Sequence, residues 1–230
     1  FRRISEFSSD IAHELRTPIS NLMTQTHVAL SFPRDVRTYQ SILASNAEEY
    51  ERLSRMISDM LFLAKADHGL ELPSKETIEL DKEVADLFEF YDALAEEHNI
   101  LLRLKGKGEI QGDRLMIRRV INNLLSNAIR YAPTHSAVEV QIEASDKSTL
   151  LTVNNVGTPI SAEHIPHLFE RFYRVDKNRV KGNSEGVGLG LAITRAIVVA
   201  HNGEISVSST VERTSFQVTF FKNDSLITKT

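Results

Sequence analysis

The chain has 230 residues, 27 Lys and Arg against 31 Asp and Glu for a net charge of −4, and no cysteine or tryptophan. That length holds one large or two smaller domains, and the absence of cysteine excludes disulfides, thiolate metal sites and thiol redox sensing within it. The mild acidity, with no dense Lys/Arg stripe, argues against a direct nucleic-acid surface. No run approaches about eighteen consecutive apolar residues, so no membrane span is expected inside it. The chain begins with Phe1 and shows no secretory signal, which reads as a portion of something longer. Its composition suits a soluble cytosolic protein and leaves a membrane-anchored parent open.

Residues 1 to about 31 read as one amphipathic helix. At about 100° per residue, Ile4, Phe7, Ile11, Leu15, Ile19 and Leu22 gather into one arc. His13 falls opposite, beside Ser9, Thr17, Ser20 and Thr24. Pro18 sits inside this helix, where it removes a hydrogen bond and bends the axis. "SFPRD" is a tight break, and residues about 35 to 66 form a second helix. There Tyr39, Ile42, Asn46, Leu53, Met56, Met60 and Leu63 recur at three- and four-residue steps, with Leu43, Tyr50, Ile57 and Leu61 widening the stripe. Two antiparallel helices cannot cover so wide an apolar face. A second copy would close it as a symmetric four-helix bundle.

"DHGLELPSK" breaks the helical pattern, with Gly69 as a helix stop and Pro73 in the connection. The domain organisation expected is therefore residues 1–68, a linker at 69–76, and a second domain at 77–230. A strand near "TIEL" leads to a helix from Asp81, its expected cap, to about Glu97. Strands follow near "ILLRL" and "GEIQ", then a helix from about Asp113 to Tyr131. "AVEVQIEA" and "TLLTVNN" alternate as strands, as do "GEISVSS" and "SFQVTFF". Between the two pairs lie a short helix ending around Phe169, a polar segment from Arg174 to Glu185, and a helix from about Gly188 to His201. The second domain is expected to be a layered α/β unit with its helices on one face of a mixed sheet.

Three constellations carry chemistry. An exposed His13 presents a free ring nitrogen to a phosphate donor, and Glu14 supplies a carboxylate to orient or deprotonate the other nitrogen. Histidine can serve as a covalent nucleophile, and a well-placed general base is worth about 10²–10⁴-fold in rate. Asn123 and Asn127 share one helix face, with Arg130 and Tyr131 close by. Neutral amide oxygens suit a hard cation such as Mg²⁺, which completes its shell with waters and phosphates. Gly186, Gly188 and Gly190 lie where a polar loop turns into an apolar helix, whose N-terminus favours phosphate. The spacing is G-x-G-x-G after a loop, not the G-x-G-x-x-G after a strand of a dinucleotide fold. His164 and His167, with Pro166 between them and no third partner in pattern, do not read as a metal site, and no Ser/His/Asp elbow is present.

"AHELRTP", "NNLLSNAIRYAP", "NNVGTPI", "FERFYRVD" and "GVGLGLAI", in this order, resemble the H, N, first glycine, F and second glycine boxes of sensor histidine kinases. The resemblance spans essentially the whole chain. "VGTPISAEHIPHLFERFYRVD" and "AIVVAHNGEISVSS" look most like the heavy-metal-responsive branch, typified by copper and silver sensors, which has a peroxide-responsive relative in enteric bacteria. The implied fold is a helical hairpin forming a dimeric bundle for histidine phosphotransfer, followed by a Bergerat-type (GHKL) α/β sandwich that binds ATP. The resemblance further implies a homodimer, a response-regulator partner of winged-helix type, and a cytoplasmic portion of a bacterial inner-membrane protein anchored through segments outside this sequence. By motif, His13 would accept the γ-phosphate with Glu14 as base, and Thr17 would orient a water for dephosphorylating the regulator. Asn127 would hold Mg²⁺, supported by Asn123, and Arg130 and Arg174 would contact phosphates. Tyr131 would lie against the nucleotide, and Gly186, Gly188 and Gly190 would shape the lid hinge and phosphate cradle.

Two positions depart from the family pattern. Asn155, followed by Gly157, stands where an aspartate usually accepts from the adenine amine, and Pro159 replaces the second glycine of that box. An amide oxygen still accepts, although charged acceptors bond about twice as strongly. Arg213 stands where a glycine usually precedes the final Thr-x-Phe, here Thr214 and Phe216. The residues thus leave open an ATP-weak module that acts by binding or dephosphorylating its regulator. A chaperone- or topoisomerase-like ATPase would share the ATP domain but leaves the exposed His-Glu pair unexplained.

Overall fold

The structure is a computed structural model; it describes residues 2–175 and 187–222, with side chains from Ile11 onward. The chain divides into two compact units, a helical hairpin through Ala64 and a sandwich that begins at Lys65.

In the hairpin, α1 (Arg2–Ser31) runs unbroken through Pro18, and α2 covers Val36–Ala66. The hydroxyls of Thr24, Thr26 and Ser31 donate to carbonyls four residues back, at 2.8, 2.8 and 2.7 Å. Pro33 prevents continuation, and Asp35 caps α2 by accepting from the Thr38 N–H at 2.7 Å. Those bonds from Thr38 hold the Asp35 carboxyl below its ordinary pKa. Leu22, Ala29, Met56, Met60 and Leu63 are buried. The expected inward arc of α1 needs one correction. Pro18 is buried while Ile19 is 46 % exposed, because a single neighbouring helix covers only part of so wide a stripe.

The second unit opens with β1 (Glu76–Glu79), which pairs antiparallel with β3 (Glu109–Gly112) as a separate two-stranded ribbon. Between them lie α3 (Leu80–Glu97) and β2 (Leu101–Gly106). Asp81 does not cap α3: the strand runs straight into the helix, Glu79 occupies the cap position, and the Leu80 N–H is taken by the Gly108 carbonyl at 2.9 Å. Then come α4 (Arg114–Tyr131), β4 (Ala137–Ala144), β5 (Ser148–Asn155), a single 3-10 turn at Ile165–His167 in place of the expected short helix, α5 (Gly190–Ala200), β6 (Gly203–Ser209) and β7 (Thr214–Phe221).

The main sheet has the order β2-β4-β5-β7-β6, with β2 parallel to β4 and the other pairs antiparallel. Its register explains the layering. Val140 faces Val153, which faces Phe216, and Ile142, Leu151 and Val218 form the next row, all buried. The alternate rows carry Glu139, Gln141 and Gln217, so one face is apolar. The helices pack on that face through Leu80, Val84, Ile117, Ile121, Leu124, Ile193 and Ile197, every one buried.

One buried polar cluster ties the start of α4 to the end of α5. Asp113 Oδ1 accepts from the Met116 N–H at 3.0 Å, its Oδ2 accepts from Ser74 at 2.9 Å, and its own N–H donates to His201 Nε2 at 3.0 Å. The Nδ1 of His201 then donates to the Ile197 carbonyl at 2.8 Å. Burial pushes the His201 pKa below its ordinary value, because the neutral ring is the one that both accepts and donates here.

Candidate functional site

On α1, His13 is exposed, as the helical face predicts, with Glu14 half-buried beside it and Thr17 exposed one turn on. Pro18 has no N–H, so it leaves the Glu14 carbonyl without its usual donor one turn ahead. His13 is therefore an exposed imidazole on an unbroken helix, beside a half-buried carboxylate.

In the sandwich, the ends of four elements converge. The Asn123 side chain on α4 donates through Nδ2 to the Gly190 carbonyl at 3.0 Å and to Thr194 Oγ1 at 3.3 Å, and Thr194 Oγ1 donates to the same carbonyl at 2.9 Å. Asn123 thus fastens the first turn of α5. Asn127 lies one turn along α4 and is half-buried. It fits Mg²⁺, which needs only one or two protein oxygens when phosphates and waters complete its shell. Arg130 and Tyr131 are exposed at the end of the same helix.

The carboxyl end of β5 brings the second wall. Asn155 is buried at 5 % exposure, and its Nδ2 donates to the Val156 carbonyl at 2.8 Å. That bond pins the amide, so the end left to a ligand is the oxygen, an acceptor like the aspartate it replaces. A Cβ at Gly157 would stand 2.8 Å from the Tyr131 carbonyl, so only glycine allows the two chain segments to approach this closely. Asn155 is the register partner of Thr214 at the start of β7. Thr214 Oγ1 lies 2.7 Å from Ser209 Oγ, which accepts from the Ile160 N–H at 2.9 Å. Arg213 is accommodated because this turn does not need glycine: its φ is negative, and its carbonyl accepts from the Thr210 N–H at 2.9 Å.

The glycine-rich entry to α5 begins two residues later than expected, at Gly190. Gly188 has φ +79°, a left-handed conformation no helix contains. A Cβ there would lie 2.8 Å from the Phe172 carbonyl carbon. Phe172 itself has φ +60° and donates its N–H to the Gly188 carbonyl at 3.0 Å. No side chain caps α5, so its first N–H groups remain available to an anion. Gly186 lies outside the described residues, and Arg174 is half-buried.

Sequence reasoning did not reach several of these contacts. Thr194 and Ser209 carry no motif signal, and the Phe172–Gly188 clasp joins residues from two separate boxes. His164 and His167 are taken up by the same turn: His164 Nδ1 is 2.7 Å from Tyr173 Oη, and His167 Nδ1 is 2.9 Å from Glu170 Oε1. An open groove of about 750 Å³ at the β2 edge, lined in part by Arg103, His135 and Ser136, contains none of the residues named for the site.

An exposed histidine on a two-helix hairpin, followed by a sandwich with amide, glycine and threonine groups at one end, defines a phosphotransfer helix pair and a nucleotide domain. Comparison with known proteins agrees. Residues 3–69 match the His Kinase A (phospho-acceptor) domain, and residues 112–224 match the histidine kinase-, DNA gyrase B-, and HSP90-like ATPase. The chain belongs to the sensor histidine kinase family. It is 49 % identical over 220 residues to the sensor histidine kinase CusS of Escherichia coli K12, covering 95 % of this chain and 46 % of that one. The chain thus spans about half the length of that relative. The histidine kinase AdeS of Acinetobacter baumannii superposes with a TM-score of 0.75 at 25 % identity, covering 92 % of this chain and 98 % of that one. The histidine kinase ThkA, solved in complex with the response regulator TrrA, superposes with a TM-score of 0.75 at 21 % identity over 96 % of this chain and 64 % of that one.

Proposed function

We propose that this chain is the catalytic core of a two-component kinase that phosphorylates His13 from Mg-ATP and passes the phosphoryl group to an aspartate of a response regulator. The observation that carries the reading is the exposed His13 beside Glu14 on a family-matched phosphoacceptor helix. In this reading residues 1–68 are the dimerisation and phosphotransfer domain, 69–76 the linker and 77–230 the ATP-binding domain. The ring nitrogen of His13 attacks the γ-phosphorus, the bond to the bridging oxygen breaks, and ADP leaves. Glu14 takes or holds the proton of the other ring nitrogen, which keeps a lone pair on the attacking one. The aspartate carboxylate then takes the phosphoryl group from His13, and Thr17 orients the water that later removes it from the regulator.

In the nucleotide domain the Asn155 oxygen accepts from the adenine amine with Thr214 alongside, and Tyr131 lies against the nucleotide. Arg130, Arg174 and the start of α5, with Gly186, Gly188 and Gly190, meet the phosphates. Asn127 would hold Mg²⁺ with Asn123 in support, and the ion supplies charge neutralisation at the transferring phosphate. The partners are a second copy of the chain and a response regulator of winged-helix type. Among the described residues no helix is long and apolar enough to cross a membrane; the chain is read as the cytoplasmic part of an inner-membrane sensor of the copper/silver type.

The test is incubation with γ-labelled ATP and Mg²⁺, comparing wild type with His13→Gln. An acid-labile, alkali-stable label lost in the variant is the expected result. Asn155 in place of aspartate motivates a second reading, an ATP-weak module that binds or dephosphorylates its regulator. A folded dimer that takes up no label favours that one.

A further inference from the structure

The turn that clasps Gly188 is held from several sides. Phe169 meets Phe216 of β7 edge-on, with ring centroids 6.5 Å apart. Tyr173 is tied to His164, and Glu170 to His167. Arg171, in the middle of this turn, takes a partner from far off in the sequence: its Nη2 donates to Asp67 Oδ1 at 2.5 Å, across 104 residues. Asp67 is the first residue past α2, and it belongs to the same compact unit as the turn.

The strength of the pair is set by its exposure. The Arg171 side chain is 28 % exposed and that of Asp67 is 56 %, so water screens the carboxylate more than the guanidinium. A charged donor on a charged acceptor makes a strong hydrogen bond, but half-exposed ion pairs keep only a small part of that strength. What matters is where the pair acts. Phe172, the next residue, has φ +60° and donates its N–H to the Gly188 carbonyl. A non-glycine residue in the left-handed region persists only where its surroundings hold it there, and Asp67 supplies a restraint one residue before it.

We infer that Asp67 is a positioning residue for the nucleotide site. By fixing Arg171 it steadies the adjoining Phe172 in the conformation that clasps Gly188, and the clasp sets the entry to α5, where the phosphates are met. This rests on the nucleotide-site reading given above. Asp67 stands in none of the five sequence boxes and acts through Arg171. The clasp is present whether the phosphate is bound or in transfer, so its loss weakens binding of both states alike and raises KM while leaving the saturated rate unchanged.

The test compares the wild-type chain with Asp67→Asn, Arg171→Gln, the double variant and Asp67→Glu. Titration with a fluorescent ATP analogue and Mg²⁺ reads Kd, autophosphorylation at varied ATP reads KM and the saturated rate, and thermal melts read stability. Asp67→Asn is expected to weaken binding about two- to fivefold, with KM raised in step and the saturated rate unchanged. The double variant should bind no more weakly than Arg171→Gln alone, and Asp67→Glu should recover part of the loss. At about 1 M salt, where the Debye length falls to about 3 Å, the gap between wild type and Asp67→Asn should narrow. Glu79→Gln is the control, because it removes the same charge from an exposed pair with Lys82, and it should leave Kd unchanged. Wild-type Kd in Asp67→Asn overturns the inference, whether or not its melting temperature falls, and so do losses that simply add in the double variant. A folded wild-type chain that binds no nucleotide overturns the nucleotide-site reading and the inference with it.

Discussion

Replacing Gly188 by alanine strikes the site at a point where the cost can be worked from geometry. The left-handed backbone, φ +79°, costs an L-residue about 1–2 kcal/mol. The new Cβ would meet Phe172 C at 2.8 Å, Phe172 Cα at 2.9 Å and the Tyr173 oxygen at 3.0 Å. All three are backbone atoms and none can rotate away, so the turn must shift, an overpacking cost of about 1–3 kcal/mol. Relief by movement breaks the Phe172 N–H bond to the Gly188 carbonyl and displaces the uncapped start of α5. A total of about 2–5 kcal/mol, released locally, should lower ATP affinity at least about tenfold. Fluorescent-nucleotide titration reads the affinity, and a thermal melt shows whether the domain remains folded. Gly69→Ala is the comparison: φ there is +96°, but no atom lies within 4 Å of the added Cβ, so it carries backbone strain alone and should bind ATP normally. Wild-type affinity in Gly188→Ala would refute the argument that this clasp shapes the phosphate site.

Other consequences follow from single contacts. Asn123→Ala removes the amide donor to Gly190 and Thr194 and should weaken nucleotide binding several-fold at a stability cost of about 1 kcal/mol, read by parallel titration and urea melts. Leu63→Ala, with that side chain 2 % exposed, should cost the hairpin about 2–5 kcal/mol, whereas Ile57→Ala, on the open stripe, should weaken dimer association and spare the hairpin; sedimentation separates the two. The native state keeps His201 neutral, so its pKa is depressed when folded, while the unfolded chain binds a proton near the ordinary value of 6.5. Because the unfolded state binds more protons, the stability His201 contributes is full above about pH 6.5 and falls as the pH drops below it. Urea midpoints between pH 7.5 and 5 should decline less steeply in His201→Gln than in wild type, and parallel slopes would count against the buried neutral ring.

Much of this architecture is legible in the chain, and the failures are instructive. Asp113 announces the start of α4 because a cap acts within three residues, on the Met116 N–H. Asp81 offers the same chemical signal yet does no capping, since β1 enters α3 without a break and a distant carbonyl, that of Gly108, takes the Leu80 N–H. The apolar arc of α1 identifies His13 as exposed but misassigns Ile19, which only a further pair of helices could cover. The departures at Asn155 and Arg213 looked like losses of nucleotide affinity. In three dimensions Asn155 has its amide pinned with the oxygen left over, and Arg213 occupies a turn that asks for no glycine.

What the sequence by itself determines here is local: most of the helix and strand spans, the order of the motifs, and the face on which His13 stands. These follow from side-chain periodicity and from bonds that span a few residues. Which amide of the asparagine pair is spent on structure, how Asn155 is turned and why Gly188 must be left-handed are decided only by tertiary structure. Each depends on a contact between chain segments that meet only on folding, such as Asn123 with Gly190, 67 residues away, and periodicity carries no information about which donor will find which acceptor across that distance.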